Sequence, residues 1–204
     1  MNNEVRIWDP LVRAFHWSLV LAFIISYATG DEQTSIHVYS GYSIFILVSL
    51  RVIWGIIGSK HARFSDFVRG KEAVVSYLKS LLTRSPQHFK GHNPAGGWMI
   101  IALIIGLFSS TLSGMKLYAV EEGLGPFANN SPEIQLISSA YADGHKDSDN
   151  DKENFWEEFW EEVHEVSVNF TLLLIFFHIG GVLISSAVHK ENLIRAMITG
   201  NKKE

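Results

Sequence analysis

The sequence predicts an all-α integral membrane protein, a four-transmembrane-helix bundle with both termini cytoplasmic. Two observations predict this fold class. The chain of 204 residues contains four apolar segments, each near the ~20 residues that are needed to cross a bilayer core. Its basic residues are concentrated in alternate polar segments, and this bias sets the orientation of a helical membrane protein.

The first span is expected at residues 11–30. It also resembles a signal peptide, because basic residues precede it and the small residues Ser26 and Ala28 lie near its end. We favour its retention, since three further spans follow and cleavage would remove His16, which has a partner in the scheme below.

The other three spans join the first in a single domain that covers residues 1–204. A short link makes the first span a hairpin with the second, which is expected at residues 35–58. The third and fourth spans are expected at residues 97–117 and 163–188.

Two long polar loops connect these spans. The loop 59–96 contains an amphipathic stretch at residues 71–82, which could lie on the membrane surface or pack beneath the bundle. The loop 119–162 is acidic, and residues 128–154 within it have the composition of a mobile segment.

Charge divides sharply between the two sides of the predicted bundle. Fourteen of the 17 basic residues lie on the side of the termini and the 59–96 loop, and 15 of the 21 acidic residues lie on the other side. The two sides therefore carry formal charges of +8 and −12. The positive-inside rule assigns the basic side to the cytoplasm and the acidic side to the periplasm, and the expected location is the inner membrane.

The absence of cysteine limits the chemistry of the chain. It excludes disulfides, thiolate zinc sites, iron–sulfur clusters and covalently attached c-type haem. A metal must then be held by histidine, carboxylate or methionine, and nine histidines are present. The net charge of −4 argues against a nucleic-acid partner. The four apolar segments make the lipid bilayer an expected partner.

Four histidines lie within the spans at two matching depths. His164 and His178 are 14 residues apart on the fourth span, which places them about 21 Å apart and about 40° around the helix axis. His16 lies at the inner end of the first span and His37 at the outer start of the second. The depths pair His16 with His178 and His37 with His164, as two six-coordinate, non-covalent b-type haems would require.

Four further residues are candidate haem contacts. Gly41 is one turn after His37 and would let a porphyrin approach the helix. Arg51 shares the face of His37 at the inner depth, and an intramembrane arginine is usually paired, here with a haem propionate. Arg13 could serve the same haem, and Lys116 could serve the outer one. No catalytic residue is assigned.

Other interpretations of these histidines remain open. A single histidine in a membrane span is often a packing or hydrogen-bonding residue. A non-haem metal carrier would favour carboxylates beside the histidines, and the spans contain none except Glu165 at the outer edge. His61, His88, His92 and His145 have solvated surface as their default assignment. His189 could line a quinone site, although a plain interfacial position is the simpler assignment.

The chain resembles the prokaryotic cytochrome b561 family of dihaem four-helix membrane cytochromes, which includes hydrogenase-type cytochrome b subunits. The matching segments are WDPLVRAFHW, HVYSGY, LRVIWGIIGSKHARFSDFV, GHNPAGGWM and the region from EVHEVSV to ITGNK. The resemblance implies haem ligation by His16, His37, His164 and His178. The acidic residues 128–154 depart from the family pattern, so no partner is carried over from them.

The expected function is electron transfer across the membrane, from the quinone pool through two haems to a periplasmic redox partner. A basic c-type cytochrome would suit the acidic side. One alternative reverses the flow, with a periplasmic dehydrogenase or hydrogenase passing electrons to quinone. A second is superoxide oxidation with quinone as acceptor, against which the acidic face weighs. A third is a non-redox scaffold or metal carrier.

Overall fold

Four long helices form the molecule, and shorter elements close one end of it. The computed structural model describes residues 4–30, 35–81, 83, 87–89, 91–128 and 146–203. In chain order the elements are β1 (Glu4–Arg6), α1 (Pro10–Ala28), α2 (Ser35–Ile57), a 3₁₀ turn (Lys60–Ala62), α3 (Phe64–Phe67), α4 (Lys71–Ser80), α5 (Pro94–Glu121), α6 (Lys146–His189), α7 (Leu193–Thr199) and β2 (Asn201–Lys203).

The expected four-helix membrane architecture is confirmed. Four helices each contain a stretch that is long and apolar enough to cross a bilayer: α1, α2, α5 and, within residues 155–189, α6. Their exposed surfaces are dominated by large apolar side chains, which suits contact with lipid rather than water.

Two of the helices extend beyond their predicted ends. α5 begins at Pro94 and continues to Glu121, and α6 begins at Lys146 rather than near residue 163. Hydropathy marks only the part of a helix that lies in hydrocarbon, and glutamates end that part without ending the helix. Residues 129–145 of the acidic segment lie outside the described residues.

Helix starts are specified by short polar motifs. The side chain of Asp9 accepts a hydrogen bond from the Val12 amide at 2.8 Å, and Pro10 follows as the first residue of α1. At α5 the side chain of Asn93 accepts from the Gly96 amide at 2.7 Å, again with proline next in the chain. Each N-cap residue, together with the proline after it, therefore specifies where a helix begins, directly before an apolar stretch of sequence.

Small residues let α5 and α6 approach closely. Gly106, Ser110 and Gly114 lie four residues apart on one face of α5. An added Cβ at Gly106 would lie 2.8 Å from Oγ1 of Thr171, and Ser110 Oγ is 3.2 Å from the same oxygen. A stripe of small residues with interhelical hydrogen bonds is a common helix interface in membranes.

The other contacts complete the bundle. α1 packs along α2, and α2 packs against α5. The buried centre between α2 and α5 is formed by Ile44, Val48 and Leu107, with Leu19 and Phe23 of α1 packed against it.

Both chain termini lie at one end of the bundle, which we call the inner end. β1 and β2 pair antiparallel, with Glu4 opposite Lys203. Lys202 is buried, and its ammonium lies 3.0 Å from Glu191 and 2.7 Å from the carbonyl of Phe89. The loop between α4 and α5 therefore contacts the strand β2 at this end. The charge pattern placed this loop and both termini on one side but did not indicate that they pack together.

The amphipathic helix α4 packs against the bundle, which is one of its two expected positions, and its position on a membrane surface stays a prediction. Tyr77 and Ser80 are buried on one side of α4, and α4 packs against α5. Val75 and Leu78 are about half exposed on the other side. One face thus packs under the bundle, and the other is apolar enough to contact a lipid surface.

Asp9 connects the start of α1 to the end of α2. Its carboxylate accepts hydrogen bonds from the hydroxyl of Ser59 and, at 3.4 Å, from the indole of Trp54. Burial raises the pKa of Asp9, but the hydrogen bonds from Ser59, Val12 and Trp54 outweigh it and hold the pKa below its ordinary value. The stabilisation is therefore present above the ordinary carboxyl pKa and is lost as the pH falls through the lowered one.

We expect Asp9→Ala to reduce the free energy of unfolding by about 1 kcal/mol at pH 7, because a helix cap is lost. Asp9→Asn, which keeps an acceptor, should cost less. The measurement is unfolding in detergent micelles from pH 7 downward, where wild type and Asp9→Asn should converge at low pH. Equal stability of Asp9→Ala and wild type at pH 7 would contradict the assigned role.

Candidate haem sites

The outer histidine pair lies between α2 and α6. The ring centres of His37 and His164 are 6.1 Å apart and their planes are nearly perpendicular, at 86°. Two imidazoles bound on opposite sides of one metal, each with its nitrogen about 2 Å away, have ring centres roughly 6 Å apart. The separation of this pair therefore fits axial ligation of a haem iron from both sides.

Hydrogen bonds at Nδ1 orient both rings. His37 Nδ1 lies 2.8 Å from the carbonyl of Ser26, and His164 Nδ1 lies 2.9 Å from the carbonyl of Ser110. A carbonyl can only accept, so each Nδ1 must carry the proton and each Nε2 the lone pair. Metal-ligating histidines usually make this second contact, which fixes the tautomer and the ring orientation.

Glycines leave room for the imidazole rings of His37 and His164. An added Cβ at Gly114 would lie 2.9 Å from Cε1 of His164, so no other residue fits there without moving the ring. Gly30 similarly packs against His37, at 3.7 Å from its Cε1. A Cβ at Gly41 would meet nothing within 4 Å. That open space beside the pair is compatible with the porphyrin contact predicted for Gly41.

The inner pair is His16 on α1 and His178 on α6. The two imidazoles are close enough to interact electrostatically. Nδ1 of His16 is buried and has no hydrogen-bond partner among the described residues. The edge of Trp17 contacts the His16 ring, with ring centres 5.0 Å apart. Within the part of the chain that the structure describes, His16 therefore lacks the backbone contact at Nδ1 that orients each ring of the outer pair.

The two arginines at the inner end each retain an unsatisfied donor. Arg13 donates through Nη1 to the carbonyl of Ile198, and Arg51 donates through Nη2 to the carbonyl of Ala62 at 3.2 Å. Nε of Arg13 and Nη1 of Arg51 are buried without a partner in the described part of the chain. Buried donors are almost always paired, so these two fit the propionate role predicted for them.

Lys116 has a different neighbour from the one expected. Its ammonium lies 4.7 Å from the ring centre of Phe127, in a cation–π contact at the outer end of α5. Its contact with an outer haem propionate stays a prediction.

The expectation of a solvated surface position is wrong for His92. Its imidazole contacts the rings of Trp8 and Phe67, with 4.4 and 4.6 Å between ring centres. Its Nδ1 is buried without a partner among the described residues. The sequence does carry a signal here, because His92 directly precedes the Asn93 cap in the GHNPAGGWM segment that the resemblance singled out.

Other loop histidines have carboxylate or ring partners. His61 lies 3.1 Å from Asp66, and His88 lies 2.7 Å from Glu191. His189 contacts the ring of His88, with ring centres 5.3 Å apart. His145 lies outside the described residues. None of these contacts tests the quinone-site assignment of His189.

The described residues contain no group of three or more histidine, cysteine or acidic side chains placed to hold a metal ion. A non-haem metal carrier would be expected to have such a group. A haem requires only two axial ligands, since the porphyrin supplies the other four. The donor set of the chain therefore fits haem better than a bare metal ion.

Comparison with known proteins agrees with this chemistry. Residues 7–200 match the family described as prokaryotic cytochrome b561. A relative in Rhizobium leguminosarum bv. viciae, described as a probable Ni/Fe-hydrogenase B-type cytochrome subunit, is 22% identical over 98% of this chain and 90% of its own. No solved structure matches the chain significantly.

Two relatives from Azotobacter carry the same description. Those of Azotobacter vinelandii and Azotobacter chroococcum mcd 1 are 27% and 28% identical over 154 residues, which is 61% of this chain. The match spans 62% of each of these relatives.

We expect Gly114→Val to reduce bound haem by about one equivalent, because a larger side chain displaces the His164 ring. The measurement is haem content per chain by pyridine haemochrome. Gly70→Val is the control, since a Cβ at Gly70 would meet nothing within 4 Å. Full haem content in Gly114→Val would show that the position of His164 does not matter for binding.

Proposed function

Since the chain belongs to the prokaryotic cytochrome b561 family, we propose that it transfers electrons between the membrane quinone pool and a periplasmic redox partner through two b-type haems. Family membership shows a multi-pass membrane protein of electron transport and implies b-type haem. The number of haems, the quinone, the partner and the location in the inner membrane belong to the proposal.

The geometry of the outer pair is the main support for the proposal. His37 and His164 have the separation, the tautomers and the open neighbouring space that a bis-histidine haem requires. His16 and His178 would hold the second haem at the inner end, with Arg13 and Arg51 as donors to its propionates. A b-type haem supplies one-electron chemistry, and centres at these two depths lie about 21 Å apart along α6.

The number of electrons that the redox partner accepts sets the number of docking events for each quinol. Oxidation of a quinol releases two electrons and two protons. A c-type cytochrome takes one electron, so two docking events are needed for each quinol.

The outer end of the molecule offers a surface for such docking. α6 extends 18 residues beyond His164, or about 27 Å, whereas α5 extends only seven residues beyond Gly114. The rings of Phe155, Trp156 and Phe159, in the part of α6 that precedes His164, are exposed. These rings alternate along the helix with four glutamates: Glu157, Glu158, Glu161 and Glu162. An exposed apolar patch ringed by one sign of charge suits a partner with basic residues around an exposed redox centre.

The opposite direction of flow is the second candidate. The relatives are described as cytochrome subunits of Ni/Fe-hydrogenases, and in that arrangement an outer enzyme would deliver electrons for quinone reduction. Both directions use the same histidine pairs. The two directions can be distinguished by adding quinol or a soluble reductant under matched conditions. The measurement is which of the two reduces the haems. Superoxide oxidation is disfavoured, because glutamates at the outer end repel an anion.

We expect each histidine pair to hold one haem. His37→Ala or His164→Ala should remove one equivalent, and His16→Ala or His178→Ala the other, as measured by reduced-minus-oxidised spectra and haem content. His88→Ala is the control, since His88 lies in the inner loop. A folded, colourless wild-type protein would refute the redox function. Two bound haems in all four variants would refute only the pairing.

We expect replacement of Glu157, Glu158, Glu161 and Glu162 by glutamine to slow reduction of a basic soluble c-type cytochrome several-fold at low ionic strength, because electrostatic steering is lost. The rate should also become nearly independent of salt. Glu72→Gln, an exposed substitution at the opposite end, is the control. A wild-type rate that ignores both salt and these substitutions would contradict docking at this surface.

A further inference from the structure

His92 lies where three parts of the chain meet at the inner end. Trp8 precedes α1, Phe67 ends α3, and His92 itself lies two residues before α5. Both aromatic rings contact the imidazole, at 4.4 and 4.6 Å between ring centres. These contacts restrain the plane of the imidazole. Packing alone would not require a histidine here, because another aromatic residue could fill the same space.

The nitrogen that this packing holds in place has no partner. Nδ1 of His92 is buried and unbonded among the described residues, as are Nε of Arg13 and Nη1 of Arg51. The imidazole is close enough to Arg51 and His178 to interact with both electrostatically. Arg13 lies near Trp8, because both contact Gly200. A Cβ at Gly200 would lie 2.9 Å from the carbonyl of Trp8 and 3.4 Å from Nε of Arg13.

The nearby carboxylates do not satisfy these donors. Asp9 accepts from Val12, Ser59 and Trp54. Asp66 contacts His61, and Glu191 contacts both His88 and Lys202. Three unsatisfied donors on three elements, with each of these acids already engaged, indicate a place for an acceptor that carries negative charge.

The charge state of His92 suits a hydrogen-bond donor more than an ion-pair partner. Burial, reinforced by Arg51, lowers the pKa of His92 to about 3. The imidazole is therefore neutral at physiological pH and can donate from one ring nitrogen without adding a second cation beside Arg51.

We infer that His92 completes, with Arg13 and Arg51, a carboxylate-binding pocket, and that its ligand is a propionate of the haem held by His16 and His178. The inference rests on the inner haem of the proposed function. His92 is then a positioning residue that tunes this haem: a donor on the propionate disperses its negative charge, and loss of the donor favours the ferric state.

The test uses the full-length, haem-loaded protein in a His37→Ala background, in which only the inner haem is expected. His92→Phe keeps the aromatic packing and removes the donor, His92→Leu removes it with a similar volume, and His92→Gln restores a donor. His88→Phe is the matched control in the same loop. The readout is the midpoint potential of the inner haem by redox titration.

We expect His92→Phe and His92→Leu to lower this potential, His92→Gln to recover most of the shift, and His88→Phe to leave it unchanged. An unchanged potential in either donor-free variant, with haem content intact, would overturn the inference and make His92 a packing residue. Absence of haem from the His37→Ala background itself would instead count against the proposed function. The two failures are therefore distinct.

Discussion

The close approach of α5 and α6 is the constraint on which the outer site depends. Gly106, Ser110 and Gly114 remove side-chain bulk at every fourth residue of α5, so the backbone of α5 comes within hydrogen-bond reach of His164. That backbone then fixes the His164 tautomer and its ring plane. A larger residue in this stripe would separate the helices and remove the carbonyl that orients the imidazole.

The buried nitrogens at the two ends of the bundle differ in their hydrogen-bond partners. At the outer end, backbone carbonyls of Ser26 and Ser110 satisfy the histidines before any ligand is present. At the inner end, buried nitrogens of His16, Arg13 and Arg51 lack partners among the described residues. The protein alone therefore orients the outer histidine pair, whereas under the proposal above the inner site would gain further hydrogen bonds when an anionic group binds there.

Sequence patterns predicted the features that follow from one-dimensional rules. Span length and apolar composition located the four membrane helices, and depth in the membrane paired His37 with His164, which the fold brings together. Features that need three-dimensional packing were missed. The enclosure of His92 requires Trp8 and Phe67 to converge from distant parts of the chain, and the full length of α6 was hidden because glutamates end a hydropathy signal without ending a helix.

The pairing of β1 with β2 has a consequence for assembly. Residues 4–6 pair with residues 201–203, which follow them in the chain only after all four long helices. The inner cap therefore cannot close until those four helices have been synthesised. Until then Trp8 and Arg13 lack their contacts with the backbone of Gly200 and Ile198, so the proposed inner haem would have a route into the bundle before this cap forms.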